Sequence, residues 1–141
     1  MKKYTLGYTT GVFDMFHVGH LNLLRNAKNL CDRLIVGVST DAVVLQYKKK
    51  TPVIPFDERI AIVGAIRYVD EAVPQTNLDK HEAWLRLKYT ALIHGDDWKG
   101  SKLYEEYEAK LRKEGVVVEF VKHTDGVSST LLSQKLQDLG L

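Results

Sequence analysis

The stretch Gly11-Val12-Phe13-Asp14-Met15-Phe16-His17-Val18-Gly19-His20 decides how this chain is read. It joins two segments of different character. Tyr4 to Thr10, ahead of it, reads as a strand. Beyond it, Leu21, Leu24, Ala27 and Leu30-Cys31 recur at helical spacing and predict a helix over Leu21 to Cys31. The stretch is therefore a strand-to-helix handover. Residues i and i+3 at a helix start share a face, so His17 and His20 point the same way, and Gly19 leaves room for a ligand against the backbone. Free N–H groups and the helix dipole draw anions to such an end. Imidazoles add hydrogen bonds and, if protonated, positive charge. This suits holding a polyphosphate while one of its phosphorus atoms is attacked. The plainer readings are two capping or surface histidines, or a metal-binding pair. Zinc lacks further ligands here at recognisable spacing.

Outward from this point, strand and helix alternate. Leu34 to Val38 is a short, β-branched, buried strand, followed by a helical piece over Asp41 to Gln46. Gln46 to Pro55 carries three lysines and two prolines and reads as a mobile basic loop. Then come a helix (Phe56 to Ile66), a strand (Tyr68 to Val73), a helix (Leu78 to Leu87) and a strand (Ala91 to His94). A helix (Ser101 to Lys113), a strand (Val116 to Val121) and a closing helix (Ser129 to Leu139) complete the chain. The pattern predicts an α/β fold: one domain over residues 1–141, with a Rossmann-like, doubly wound, parallel five-stranded sheet. Such sheets bind ligands beyond the C-terminal strand ends, at the topological switch point. The polar clusters that follow the strands should gather there.

Composition narrows the partners. With 20 basic and 18 acidic residues, the net charge of +2 is too balanced for a non-specific nucleic-acid coat or a membrane-surface binder. The single cysteine, Cys31, allows no internal disulfide and no Cys-x-x-Cys site, and a packed thiol is the expectation. The N-terminal segment turns polar at Thr9-Thr10 before a signal-peptide core forms, and no apolar run approaches the roughly 20 residues of a membrane span. A cytoplasmic location is expected.

On Gly11-Val12-Phe13-Asp14 and His17-Val18-Gly19-His20, the chain resembles the HxGH nucleotidylyltransferases, and among them most the glycerol-3-phosphate cytidylyltransferases. The likeness continues in order through Ser39-Thr40-Asp41, Arg67-Tyr68-Val69-Asp70-Glu71, Gly95-Asp96-Asp97-Trp98 and Thr124-Asp125-Gly126-Val127-Ser128-Ser129-Thr130. The resemblance implies CMP transfer from CTP to a small phosphorylated alcohol, with glycerol 3-phosphate leading, Mg²⁺ accompanying the nucleotide, and a homodimer. It makes His17, His20, Lys49 and Arg67 the catalytic set. It gives nucleotide binding to Thr10, Gly11, Val12, Phe13, Asp14, Gly19, Gly95, Asp97, His123, Thr124, Gly126, Val127, Ser128 and Ser129. Lys49, Asp41, Asp96 and Trp98 would hold the acceptor, and no residue is assigned to a metal. Three alternatives stay open: another sugar, polyol or amino-alcohol phosphate as acceptor; ATP in place of CTP; or a nucleotide-binding module without catalysis.

The remaining clusters carry plainer readings beside these. Lys48-Lys49-Lys50 reads as a solvated run, and Arg67 as a partner of Asp70 or Glu71. Asp41 reads as a helix cap and Asp14 as a turn residue, or as a group fixing a histidine tautomer or approaching a metal. Ser128, Ser129 and Thr130 can cap the closing helix and offer N–H groups to phosphates. The family pattern places arginine where this chain has His123, and a neutral imidazole cannot form a bidentate guanidinium clamp, so either Lys122 or protonated His123 compensates, or triphosphate binding differs here. Gly95 to Lys102 is not a P-loop, because serine stands where lysine is required.

Overall fold

Leu34, Val36 and Val38 pack into one apolar cluster while Ile35 packs into another. Ala91 and Ile93 likewise separate from Leu92. This two-sided burial is what continuous apolar runs in a parallel sheet require. The computed structural model describes residues 2–96, 100, 102–124 and 128–140. Its strands are β1 (Tyr4–Gly11), β2 (Cys31–Ser39), β3 (Glu71–Gln75), β4 (Ala91–Gly95) and β5 (Val117–Val121). Its helices are α1 (Val18–Leu30), α2 (Asp41–Lys48), α3 (Phe56–Gly64), α4 (Lys80–Leu87), α5 (Lys102–Lys113) and α6 (Ser129–Asp138). The five strands are all parallel, in the order β3-β2-β1-β4-β5. The order reverses between β1 and β4, which is the switch point.

One cluster joins the sheet to Leu24 and Ala27 of α1 and Val63 of α3. The other joins it to Ala83 of α4 and to Tyr104 and Leu111 of α5. Helices therefore cover both faces, as the alternating pattern predicts. Two glycines let β1 and β2 approach their neighbours. A Cβ on Gly7 would come within 2.7 Å of the Cys31 sulfur, and one on Gly37 within 2.4 Å of the Tyr8 hydroxyl. Cys31 is fully buried at the α1–β2 junction, and burial raises the pKa of its thiol. That agrees with a packing role.

Three boundaries move further than fraying explains, the first being β2, which opens at Cys31 directly after α1 rather than at Leu34. α1 starts at Val18 rather than Leu21 because His17 is itself the cap. β3 occupies Glu71–Gln75 rather than Tyr68 to Val73. Ile66 to Val69 close α3 in successive turns, and Tyr68 and Val69 pack against the core from there. Pairing with β2 begins only where Glu71 meets Ile35. The basic loop then returns to the sheet edge, held by contacts that belong to the site.

Candidate functional site

The C-terminal ends of β1, β2, β3 and β4 surround a cavity of about 670 Å³. Thr10, Ser39, Gln75 and His94 contribute from those ends, and the starts of α1 and α6 close over them. At the start of α1, the backbone N–H of Gly19 donates to His17 Nδ1 at 3.0 Å, and that of His17 donates to His20 Nδ1 at 3.2 Å. This is a reciprocal capping box built from two imidazoles. A ring that accepts at Nδ1 carries its proton on Nε2 when neutral. Both histidines are thus fixed as Nε2–H donors. The rings stack with centroids 3.8 Å apart, and Phe13 packs edge-on against His20. Among the described residues, the buried His17 Nε2 has no hydrogen-bond partner.

Burial disfavours charge on both rings. It lowers the pKa of His17, and together with His17 and Lys48 it pushes that of His20 down to about 3. In the free protein they are neutral donors. Gly19 serves a different purpose from the one its sequence position suggests. A Cβ there would lie 2.8 Å from His17 Cε1, so its missing side chain makes room for the folded-back His17 ring. The approach to the helix is strained, since Phe13 and Met15 hold φ of 55° and 49°. Bulky residues in the left-handed region cost energy that the surroundings must offset.

Asp14 supplies part of that restraint. Its carboxylate accepts the N–H groups of Val53 and Ile54 at 2.8 and 2.9 Å, tying the basic loop to the β1–α1 turn. Ser129 Oγ donates to the Asp14 carbonyl, which brings the start of α6 to the same turn. Ser128 caps α6 by accepting the Leu131 N–H at 3.0 Å. Thr124 accepts from Asn22 on α1, at 2.9 Å. Two helix N-termini therefore meet at one cavity, whose wall includes Thr124, Ser128 and Ser129. His123 is in that wall too, and it bonds the Asp96 carboxylate through both its N–H and its ring. The ring contact comes first among the causes that hold Asp96 below its ordinary pKa.

Of the sequence-predicted residues, the cavity wall contains Thr10, Gly11, Val12, Phe13, Asp14, His17, Gly19, His20, Gly95, His123, Thr124, Ser128 and Ser129. Asp97, Trp98, Gly126 and Val127 lie outside the described residues. Lys48 and Lys50 are in the wall, but Lys49 is not; it is the left-handed C-cap that ends α2. Asp41 is turned to the scaffold, bonding Arg59 at 2.7 Å. Arg67 stands outside the wall, exposed, with its guanidinium over the Tyr68 ring. It pairs with neither carboxylate suggested for it, because Lys28 takes Asp70 and Arg33 takes Glu71.

Two residues escaped the sequence reading. Arg59 on α3 is 1% exposed and reaches Val12 O, Ser39 O, Ile54 O and Asp41. It joins the three loops that surround the histidines. Its place on the apolar stripe with Phe56, Ile60 and Val63 was the available signal. Lys80 is 5% exposed in the cavity wall. A lysine in the first turn of a helix opposes the dipole, and that was its signal.

Comparison with known proteins adds relatives to this geometry. A family model described as cytidylyltransferase-like matches residues 8–135. A glycerol-3-phosphate cytidylyltransferase of Bacillus spizizenii is 36% identical over 138 residues, covering 93% of this chain and 96% of its own. The Bacillus subtilis protein of the same name is 34% identical, with the same coverage. The bifunctional protein HldE of Yersinia enterocolitica is 34% identical over 92% of this chain but only 27% of its own length. Among solved structures, the lipopolysaccharide core biosynthesis protein of Thermoplasma volcanium superposes with a TM-score of 0.72 at 27% identity, covering 86% of this chain and 99% of that one.

Proposed function

This chain belongs to the cytidylyltransferase-like family, and from that premise we propose that it transfers CMP from CTP to glycerol 3-phosphate, releasing CDP-glycerol and pyrophosphate. The observation that carries the chemistry is the stacked His17–His20 pair at the start of α1, in a cavity that the start of α6 also enters. In the proposed reaction, an oxygen of the acceptor phosphate attacks the α-phosphorus of CTP in line, and the bond to the bridging oxygen of pyrophosphate breaks. No covalent enzyme intermediate forms. The Nε2–H groups of His17 and His20 donate to the oxygens on which charge accumulates, and donors set in place beforehand need no reorganisation during the step. Lys48 and Lys50 offset the repulsion between the two phosphates. The free N–H groups at the start of α6 hold the departing pyrophosphate.

Mg²⁺ belongs to this proposal as the companion of the triphosphate, where it would neutralise phosphate charge. Among the described residues no group of three or more His, Cys, Asp or Glu could cage a metal, and the Asp14 carboxylate is engaged by backbone N–H groups. That fits an ion held through substrate phosphates and water. A homodimer is also part of the proposal, supported by the exposed Arg67, which lies outside the cavity wall with its guanidinium over the half-buried Tyr68 ring. No helix among the described residues is long and apolar enough to cross a membrane, and a cytoplasmic enzyme is proposed.

A second reading keeps the same chemistry on another phosphorylated alcohol, because the family model is cytidylyltransferase-like and names no acceptor. Pyrophosphate release with Mg²⁺ separates the two when CTP and ATP are each offered with glycerol 3-phosphate and other phosphorylated alcohols. Turnover of CTP with glycerol 3-phosphate is the expected result. His17→Ala and His20→Ala should each lose roughly a hundredfold in rate, about 3 kcal/mol of barrier. A folded variant with unchanged turnover would refute the donor role.

A further inference from the structure

Four of the chain's five histidines stand in the cavity wall: His17, His20, His94 and His123. Three of them are built to stay neutral. The Nδ1 atoms of His17 and His20 accept backbone N–H groups, so neither ring takes a second proton without breaking the cap of α1. His94 is buried beside Thr10 Oγ1, and burial together with Lys80 pushes it well below its ordinary pKa. His123 stands in a different setting. β4 and β5 pair as far as Gly95 and Val121, so the residues just beyond leave the sheet side by side. There the Asp96 carboxylate accepts the His123 N–H at 3.1 Å and also meets its ring at Nδ1. The His123 side chain is 46% exposed, so burial does not forbid it a charge.

An ionised carboxylate only accepts, so Nδ1 carries a proton and donates to Asp96. The ring contact holds Asp96 below the usual carboxylate range, which keeps it charged at neutral pH and makes it the counter-ion an imidazolium needs. The other charged groups around this loop are cations. Lys122 precedes His123 and is exposed. From α1, Asn22 bonds Thr124 and holds the exposed Arg25. Across the cavity stand Lys48 and Lys50. The first turn of α6 brings no acidic residue, only N–H groups. In the free protein Asp96 therefore favours the second proton on His123 against a positive surrounding. A triphosphate entering the cavity reverses the sign of that surrounding, because nearby negative charge favours the charged ring. Linkage is reciprocal, so the charged ring in turn favours the triphosphate.

We propose that His123, held by Asp96, is the proton-linked residue of the cavity: the triphosphate binds to the imidazolium, so nucleotide binding takes up a proton and weakens as pH rises. The inference rests on the nucleotidyl-transfer reading of the same cavity. Asp96 is a positioning residue and counter-ion that serves the nucleotide through His123. The neutral pair His17–His20 keeps its donor role throughout, so proton uptake belongs to binding and not to the capping box.

The test is calorimetric titration of CTP with Mg²⁺ and no acceptor, in two buffers of unlike ionisation enthalpy. Across about pH 6.5 to 8 the wild-type protein should take up part of a proton per CTP, and Kd should rise at least about threefold. His123→Arg carries a fixed charge. It should bind CTP without proton uptake, with a Kd that no longer depends on pH and is tighter than wild type at the alkaline end. His123→Gln should also lose the uptake, but hold the weaker Kd throughout. Asp96→Asn keeps an oxygen for the backbone N–H and removes the counter-charge, so the rise in Kd should move to lower pH. A purely structural role for His123 would leave the uptake in place in folded His123→Gln, because another group would then be carrying the proton. That result, or a wild-type binding heat that does not depend on the buffer, overturns the proposal while CTP binding keeps the functional reading intact. Should the His123 variants fail to fold, a wild-type pH profile in Asp96→Asn overturns it equally. A wild-type protein that neither binds CTP nor turns it over removes both readings.

Discussion

Replacing Arg59 should damage the fold and the site together, because one side chain ties three loops. Its Nε donates to Ile54 O at 2.8 Å, and Nη1 donates to both Val12 O and Ser39 O at 2.7 Å. Nη2 donates to Asp41 at 2.7 Å, but that carboxylate is 46% exposed. Water takes over the Asp41 arm when the arginine is removed, so little is lost there. The carbonyl arms decide the magnitude. A buried acceptor left unpaired costs about 1–3 kcal/mol; the Ser39 carbonyl is buried here, while those of Val12 and Ile54 are half-buried and each costs less. Methionine refills the aliphatic volume, and the carbonyls relax in part. Arg59→Met should therefore lose about 3–5 kcal/mol, within the range for breaking a buried charged partnership. At about 4 °C per kcal/mol for a chain of this size, the melting midpoint falls by roughly 12–20 °C. Arg59→Lys should recover little of this, since an ammonium cannot span three carbonyls in the plane of a guanidinium fork. Urea unfolding gives the stability. CTP turnover at a temperature where the variant remains folded gives the effect on the site. Turnover there should drop at least about tenfold, because displaced loops misplace the histidines. An Arg59→Met protein that melts within about 3 °C of wild type and turns over normally would refute the reasoning.

Acid should weaken the fold through the buried imidazoles. His20 falls from 6.5 to about 3 on folding, so between those values the unfolded chain binds a proton that the folded chain does not. Its stabilising effect is complete above pH 6.5 and is lost as pH falls below it, by about 1.4 kcal/mol per unit. By pH 4.5 this ring alone removes about 2–3 kcal/mol, and His20→Gln should flatten the slope of urea midpoint against pH by that amount. An identical slope in wild type and variant would remove His20 as its source. Asp14→Ala should release the basic loop, since the Val53 and Ile54 N–H groups lose their carboxylate. The expected cost is about 2–3 kcal/mol, with faster proteolysis between residues 46 and 55. Proteolysis at the wild-type rate would show that the loop is held by other means.

The fold was legible because apolar runs of the two periods alternate cleanly, and strands such as Leu34 to Val38 carry no competing helical pattern. β3 was misplaced because Tyr68 and Val69 have strand-forming side chains but spend them on the core from a turn. Periodicity reports burial, and burial does not say which backbone state delivers it. The histidine pair was legible through its spacing and the glycine between. The use of that glycine was not, since only the three-dimensional path of the His17 ring shows what fills the space. Arg59, Asp14 and Lys80 each bond at least one partner 18 to 70 residues away in sequence. Such long-range polar bonds leave no local pattern beyond a charge standing where an apolar or acidic residue is usual.

The way α1 begins ties the chemistry proposed for its histidines to its folding. Most helices borrow a serine or aspartate to satisfy their first N–H groups, whereas this one uses the two imidazoles of the site. The bonds at His17 N and Gly19 N occupy both Nδ1 atoms, so forming the helix selects the tautomer in which both Nε2 atoms donate. A protonated ring would have no lone pair for the backbone, and the cap would break. Neutral imidazoles are therefore required by the scaffold, independently of what burial does to their pKa values. In the proposed reaction the charge that holds a triphosphate then comes from other groups, including Lys48 and Lys50 in the cavity wall and the N–H groups at the start of α6. The division matches the placement of the groups: Lys48 ends α2 and Lys50 lies in the loop tied down by Asp14, while the histidines sit at a helix start. Charge attracts from a distance and tolerates movement, whereas a hydrogen bond to the oxygens of the reacting phosphorus depends on position.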